Sequence, residues 1–584
     1  MNTNQIQEIE NEKINPIVDL IKSSNFLEAE KKLMQLLEKK PNSIICLNFM
    51  ALCLVNQKKN EEAIGILKKI IEIKPNFSEA YNNLGTLYKQ MGSLDTSINY
   101  FRKAIKFNSS FTQAYSNLAG LLYLKGKSNY EEAILNCEKA IKNSPNYYPA
   151  YNTMGLIYKG LNKFEKSISN LEKAIEIKSD YIEAYNNLGI VLRYMGRAEE
   201  AVQIYNKLIK LKPNYVPAYN HLGNALKDCL KIKESIEFYK KASEVNSKNF
   251  SNKNGIENLK LDENIKNNYI EIFKNKKNFP LAIYNESLAK LLSGDLEDGF
   301  KKYEFRWFIK EDFKKLKYQS IPLWQGKENL KDKKIVVWHE QGIGDAIHFS
   351  RYVSNLLNLG AKVYLQTHKR LVCLFNNFFS TCNVFDEENN DQKYDFQIPL
   401  MTLPLVFKTN LNNIPKQNFL IPHNLIESWE RKLGPKKKKR IGLCWSGNRN
   451  HKYDHFRSLE LNSLFPLIKN NYEFFCIQKD VLNNEMDQLK NLKIKYLGDE
   501  DLLNTGAIIK NLDLVISCDT SICHLSGSLN CPTWLLLHYS PDWRWLLNRE
   551  DSPWYPSIKL FRQKKLNEWS NVINKIEKEL ININ

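Results

Sequence analysis

The sequence predicts an α-solenoid followed by an α/β domain of two Rossmann-like halves. Three observations carry this. Residues 14–250 repeat with a 34-residue period. From residue 334 onward, short apolar runs alternate with loop-and-helix segments, the pattern of a parallel sheet. Within that region the buried run Leu512 to Ile516 leads into Ser517-Cys518-Asp519-Thr520-Ser521-Ile522-Cys523-His524-Leu525-Ser526-Gly527. A strand that ends on a polar turn before a small-residue helix is where α/β proteins hold an anion.

Composition narrows the function classes. The 584-residue chain is 43% hydrophobic, which is globular and not disordered. A net charge of +19 raises nucleic acid as a partner. The lysines are spread along the whole chain, however. The one dense run, Lys436 to Arg440, abuts the apolar Ile441 to Trp445 and reads as a solvated loop before a buried strand. No nucleic-acid partner is expected. The eleven cysteines lack paired spacing. Cys444, Cys476 and Cys518 fall inside predicted strands, as free thiols in a reducing compartment do. Met1 to Lys13 is polar and acidic and reads as a disordered tail without a signal peptide. No apolar run reaches the ~18 residues of a membrane span. A cytoplasmic protein follows from these features.

In the array, Pro41, Pro75, Ser109, Pro145, Ser179, Pro213 and Ser247 share one phase. A two-residue insertion near Lys127 to Tyr130 accounts for the one longer interval. Tyr81, Leu84 and Gly85 recur as Tyr151, Met154 and Gly155, as Tyr185, Leu188 and Gly189, and as Tyr219, Leu222 and Gly223. The second half of each unit carries small and large residues in turn, such as Ser97, Phe101 and Ala104. These residues resemble the tetratricopeptide repeat, a helix-turn-helix unit that stacks into a superhelix. Asn83, Asn117 and Asn187 precede the Leu-Gly or Leu-Ala pair, with Thr153 and His221 in other copies. The repeats resemble those of protein O-GlcNAc transferases, where an asparagine ladder grips acceptor polypeptide. Either these asparagines hold a peptide, or they are solvated polar residues on an exposed face.

Residues 251–333 read as a junction. Ser251 to Asn278 is expected to be a degenerate helix pair. Leu281 to Phe300 returns to helical spacing, and Tyr303, Phe305, Trp307 and Phe308 read as packing at a domain seam. The first half of the α/β domain spans 334–430. Its strand Ile335 to His339 meets Glu340-Gln341-Gly342-Ile343-Gly344-Asp345, then a helix, then the strand Lys362 to Gln366. This loop is not GxGxxG, so a dinucleotide site is disfavoured. It leaves Glu340 and Asp345 at the carboxyl end of a strand. The second half spans 431–584, with strands at Ile441 to Trp445, Tyr472 to Ile477, Ile494 to Leu497, Leu512 to Ser517 and Thr533 to Leu537. Ser446, Asn448 and Arg457 lie in a donor-rich loop after the first of these. Arg457 suits phosphate. Asp519, Thr520 and Ser521 either cap the following helix or cradle a diphosphate, and the two readings are compatible. His451, Asp454 and His455 have metal-like spacing only on a helix, and the stretch reads as a loop. No metal is expected.

Residues 334–565 resemble the family 9 glycosyltransferases, typified by heptosyltransferases. The matching stretches are Glu340 to Asp345, Trp445-Ser446-Gly447-Asn448, Asp519 to Gly527, Pro541-Asp542-Trp543-Arg544-Trp545, Ser552-Pro553-Trp554-Tyr555-Pro556 and Leu560 to Gln563. The resemblance implies a GT-B architecture and inverting, metal-independent transfer of a sugar from a nucleotide-diphosphate sugar, with no cofactor. It implies Asp345 as base, aided by Glu340 or His348, and a donor-diphosphate cradle at Asp519, Thr520, Ser521 and His524, with Arg457 in the place of a family lysine. Gln478 and Lys479 are the expected nucleobase contacts. Arg544 and Arg562 lie among aromatics, where structural stacking is the expected role. The repeats are expected to select a protein, peptide or glycan acceptor. The competing expectation is a repeat scaffold whose α/β domain only binds a nucleotide or partner.

Overall fold

The computed structural model describes residues 14–249, 280–309, 317–318, 320–387, 392–449, 454–468, 471–498 and 500–582. The expected N-terminal tail, the helix pair over Ser251 to Asn278, and His451 lie outside these residues. The chain divides into two compact units, with the boundary after Pro213. That differs from the expected divisions after residues 250 and 333. The cause is packing: Ile232 and Tyr239 of the helix Ile232–Asn249 share one apolar core with Leu291, Trp307 and the α/β sheets.

In the first unit, helices alternate in antiparallel pairs, such as Ser78–Gln90 with Leu94–Phe107 and Tyr148–Gly160 with Phe164–Ile177. The small-large pattern is the packing code. A Cβ on Gly85 would lie 2.8 Å from the Phe101 ring, and one on Gly155 would lie 2.6 Å from Leu171 Cγ. Only glycine lets the paired helices approach this closely. Ser97 Oγ then donates to the Gly85 carbonyl at 2.5 Å, and Ser167 Oγ to that of Gly155 at 2.6 Å. Tyr81 and Tyr151 donate back to the Pro75 and Pro145 carbonyls at 2.9 and 3.1 Å, which ties tyrosine and proline to one phase. The two-residue insertion forms a 3-10 turn over Lys127–Asn129.

The second unit opens with the helices Val216–Asp228 and Ile232–Asn249. The pair α1 (Pro280–Ser293) and α2 (Leu296–Tyr303) packs onto them. Asn285 Nδ2 donates to Asn220 Oδ1 at 2.9 Å, so α1 stands as a further inner helix of the stack. A 3-10 turn, Glu304–Phe308, runs on from α2. Two wholly parallel sheets follow. The first holds β1 (Lys334–Trp338), β2 (Lys362–Gln366), β3 (Asn383–Phe385) and β4 (Phe396–Pro399) in the order β3-β2-β1-β4. The second holds β5 (Lys439–Cys444), β6 (Tyr472–Cys476), β7 (Lys495–Tyr496), β8 (Leu514–Cys518), β9 (Thr533–Leu537) and β10 (Ile558–Arg562) in the order β10-β9-β8-β5-β6-β7. The strand order reverses at β1 in one sheet and between β5 and β8 in the other. Such switch points open a crevice at the strands' carboxyl ends. No described helix is long and apolar enough to cross a membrane.

Candidate active site

The loop after β1 and the turn after β8 meet. Helix α3 (Ile343–Phe349) packs against α4 (Ser521–Ser528). Gly344 sits so close that an added Cβ would lie 3.0 Å from His524 Cδ2 and 3.6 Å from Ser521 Cα. The two motifs singled out in sequence, 180 residues apart, are therefore one site. Thr520 is the N-cap of α4, its hydroxyl accepting from Ile522 N–H at 3.3 Å. Capping is thus realised, and it leaves Asp519 just outside the helix start. Cys444 ends β5 beside Ser517 of β8, with its Sγ 3.6 Å from Thr520 Oγ1.

Asp345 is held from two sides. Its Oδ2 accepts from Gly342 N–H at 3.1 Å and its Oδ1 from Arg544 Nη2 at 2.5 Å. Arg544 Nη1 donates to Asp542 Oδ1 at 2.8 Å, and its Nε is buried without a hydrogen-bond partner. The guanidinium also stacks on Trp543 and Phe349, with ring centroids 4.5 and 5.4 Å away. Stacking was the expected role, and the ion pair to Asp345 adds to it. Arg562 instead donates to the carbonyls of Arg549 and Trp545, and burial brings it down to about 10.

Burial dominates the titration of the site. It raises Asp519 to about 6, helped by the Asp542 charge and opposed by Arg457 and Arg544. Burial works upward on Asp542 as well, but Arg544 outweighs it and holds that carboxyl below the usual range. Burial and the Arg544 charge bring His524 down to about 3, and burial with Arg351 holds His348 well below its ordinary value. Both imidazoles are neutral at physiological pH. The Tyr555 hydroxyl lies 3.1 Å from Nδ1 of each. One hydroxyl donates to one ring and accepts from the other, so the two histidines carry different tautomers. His524 Nε2 lies 4.0 Å from Asp519 Oδ1.

The loop after β5 supplies further groups. Ser446 Oγ is buried without a hydrogen-bond partner, and Asn448 is exposed. The stretch Asp454–Arg457 is a helical turn, where a loop was expected, because Arg457 Nε closes it onto Asp454 Oδ1 at 3.0 Å. Arg457 covers Gly447, where an added Cβ would lie 2.7 Å from Nη2. Among the described residues, the one grouping of three metal-ligating side chains is Asp519, Cys523 and His524, with ligand atoms within 4.8 Å of one another. Cys523 Sγ donates to Thr520 O at 2.9 Å, and burial keeps it a thiol.

Several expected contacts take other roles. Glu340 is gripped by Arg306 in a buried ion pair, not placed as a proton carrier beside Asp345. Gln478 Oε1 accepts from Trp445 N–H at 3.0 Å and Ser446 N–H at 2.7 Å, and its Nε2 donates to Asp480 O at 3.1 Å. Both ends of the amide are engaged, so it clamps the β5 loop. Lys479 is exposed. Asn83, Asn117 and Asn187 donate to Asn48, Asn82 and Asn152 of the preceding repeat at 3.0, 3.1 and 2.9 Å. These bonds tie each repeat to the one before it. Sequence reasoning missed the pairing of Asp345 with Arg544 and the bridging Tyr555, although both stand in the aromatic stretches Pro541 to Trp545 and Ser552 to Pro556.

Family models match the first part of the chain. Models of tetratricopeptide repeats match residues 155–193, 191–228 and 216–249, and one for the N-terminal repeat region of Psidin matches 11–119. The N-terminal half is a tetratricopeptide repeat array. The chain is 24% identical over 322 residues to Protein FlbA of Caulobacter vibrioides, covering 49% of this chain and 52% of that protein. The chain thus spans about half the length of this curated relative. Among solved structures, MamA is 25% identical with a TM-score of 0.26, over 29% of this chain and 92% of its own. YrrB, described as a repeat protein with an unusual peptide-binding site, is 21% identical with a TM-score of 0.26, over 31% and 91%. A repeat protein from Parabacteroides merdae is 16% identical with a TM-score of 0.34, over 45% and 98%.

Proposed function

We propose that the chain is a GT-B-type glycosyltransferase of the family 9 kind, moving a sugar from a nucleotide-diphosphate sugar to an acceptor hydroxyl with inversion. The observation that carries this is the meeting of Gly344-Asp345 with Ser521 and His524 at the switch points of two parallel sheets. In this reading Asp345 takes the proton of the acceptor hydroxyl as its oxygen attacks the anomeric carbon, a role worth about 10²–10⁴-fold. The bond from that carbon to the diphosphate breaks. The charge that develops on the leaving oxygen is met by the N–H groups opening α4, by Ser446 Oγ and by Arg457 and Arg544. The cations and N–H dipoles do this without a metal. The repeats select a peptide or glycan-bearing acceptor. The free cysteines of the described chain fit a cytoplasmic setting.

A scaffold reading draws on one observation: Asp345 Oδ1 is already taken by Arg544. A thermal-shift screen against ADP, UDP, GDP and CDP, with Asp519→Ala and Asp345→Ala alongside, separates the two. A nucleotide at 100 times its dissociation constant stabilises by about 2.7 kcal/mol. Transfer predicts a shift with one nucleotide that Asp519→Ala loses and Asp345→Ala keeps, together with turnover of that nucleotide's sugar that Asp345→Ala abolishes. A shift without turnover, or no shift with any of the four, favours the scaffold.

A further inference from the structure

A buried charge cluster joins the 3-10 turn after α2 to the loop after β1. Arg306 Nε donates to Glu340 Oε2 at 2.8 Å and its Nη2 to Glu340 Oε1 at 3.0 Å, a two-pronged pair. Nη2 also donates to Thr402 Oγ1 at 2.8 Å, in the turn after β4, and Nη1 donates to Glu304. Trp307 Nε1 donates to Glu304 Oε2 at 3.0 Å. The guanidinium lies against the Tyr303 and Trp307 rings, 5.1 and 4.4 Å from their centroids. The side chains of Arg306 and Glu340 are each 6% exposed. A pair this dry adds little net stability, but loss of Arg306 leaves the buried Glu304 and Glu340 carboxyls without their cation, so the arginine holds its two segments in one register.

Those segments matter for the site. Glu340 stands two residues before Gly342, whose N–H holds Asp345 Oδ2. From the same helix pair, Phe300 packs edge-on against Trp543 at 5.6 Å, next to Arg544, which holds Asp345 Oδ1. The last helix pair of the stack, with the 3-10 turn that runs on from it, therefore supports both partners of Asp345. Thr402 brings the end of β4 into the same cluster, so both strands at the first sheet's switch point are tied to it.

We propose that Arg306 is a positioning residue: through Glu340 it sets the loop that presents Asp345, so the end of the repeat stack is a built part of the active site. The kinetic part of this rests on the transferase reading, and the structural part does not. The test uses the full chain with Arg306→Lys, which keeps the charge and loses the fork, Arg306→Gln, and Glu340→Gln, which keeps the shape. Amide hydrogen exchange over 339–346 is compared with exchange over 521–528. Turnover of the nucleotide sugar and affinity for its nucleoside diphosphate are measured in parallel.

Exchange over 339–346 is expected to rise about tenfold in both Arg306 variants while 521–528 stays as in the parent. Turnover is expected to fall about 100-fold, the cost of a displacement of about 1 Å, with diphosphate affinity held. Unchanged exchange over 339–346 overturns the proposal. So does a uniform rise across the unit with turnover and affinity falling together, since that marks a role in general stability alone. If the parent turns over no nucleotide sugar, the transferase reading fails, and the exchange measurement by itself decides whether Arg306 positions the loop.

Discussion

Replacing Asp519 with Asn is expected to stabilise the second unit at neutral pH. The carboxyl ordinarily titrates at 3.8 and is raised to about 6, first by burial and then by the charge of Asp542. The folded state holds this proton more tightly than the unfolded chain does. The resulting stability is fully present below pH 3.8 and is lost as pH rises through about 6. At 1.36 kcal/mol per unit, a shift of about two units amounts to about 3 kcal/mol. Asn cannot ionise, so Asp519→Asn keeps what the parent loses. Asp542 is depressed and acts in the opposite sense, but its window lies below its ordinary 3.8 and does not overlap. All ten tryptophans fall between residues 307 and 569, so their fluorescence reports only the second unit. Urea unfolding followed at Trp emission should show the variant gaining on the parent from pH 4 to 7 and keeping the gain at pH 8. Parallel midpoints across that range, or a less stable variant at pH 7, would refute the electrostatic account.

Two further perturbations test the packing. Gly155→Val drives a side chain into Leu171, whose Cγ is 2.6 Å from the added Cβ, and should cost the first unit about 1–3 kcal/mol, read as a lowered helical melting midpoint by circular dichroism. Gln478→Ala removes the acceptor of two buried N–H groups, those of Trp445 and Ser446, and should cost about 1–3 kcal/mol for each group left unsatisfied. Its check is the midpoint of Trp fluorescence, with the tryptophan beside the clamp shifting to longer wavelength.

The repeats were legible because their packing constrains residue size at fixed intervals. Gly85 must be small where Phe101 is large, and the same need recurs every 34 residues. The long apolar strands were legible too. Three edge strands were not. β3 is three residues long, β4 carries Gln397 and ends on Pro399, and β10 carries Lys559 and Arg562 at a sheet edge, where charge is common and the apolar pattern fades. Asp345 and Asp519 could be placed because each follows a strand. Their partners could not. Arg544 lies 199 positions from Asp345 and Glu340 lies 34 from Arg306, and no local period links either pair. Gln478 stood at the right strand end for a ligand, but its amide is spent on the neighbouring loop, a choice that only the β5–β6 register decides.

The link between Asp345 and Arg544 gives the transferase reading a kinetic consequence. Arg544 divides its guanidinium between Asp345 and Asp542, and its unpartnered buried Nε has a donor to spare. A diphosphate entering at the α4 start carries more charge than either carboxylate and competes for that guanidinium. Only when Arg544 turns to the diphosphate is Asp345 Oδ1 released to accept a proton from an acceptor hydroxyl. Donor binding is therefore expected to precede productive acceptor binding. Initial-rate kinetics should show an ordered sequence, with the nucleoside diphosphate competing against the donor and not against the acceptor. Arg544→Lys, which lacks the fork, should weaken the donor dependence and lower kcat without changing which substrate binds first. A random order, or competition between the nucleoside diphosphate and the acceptor, would show that Asp345 is available before the donor arrives and that its pairing with Arg544 does not gate the reaction.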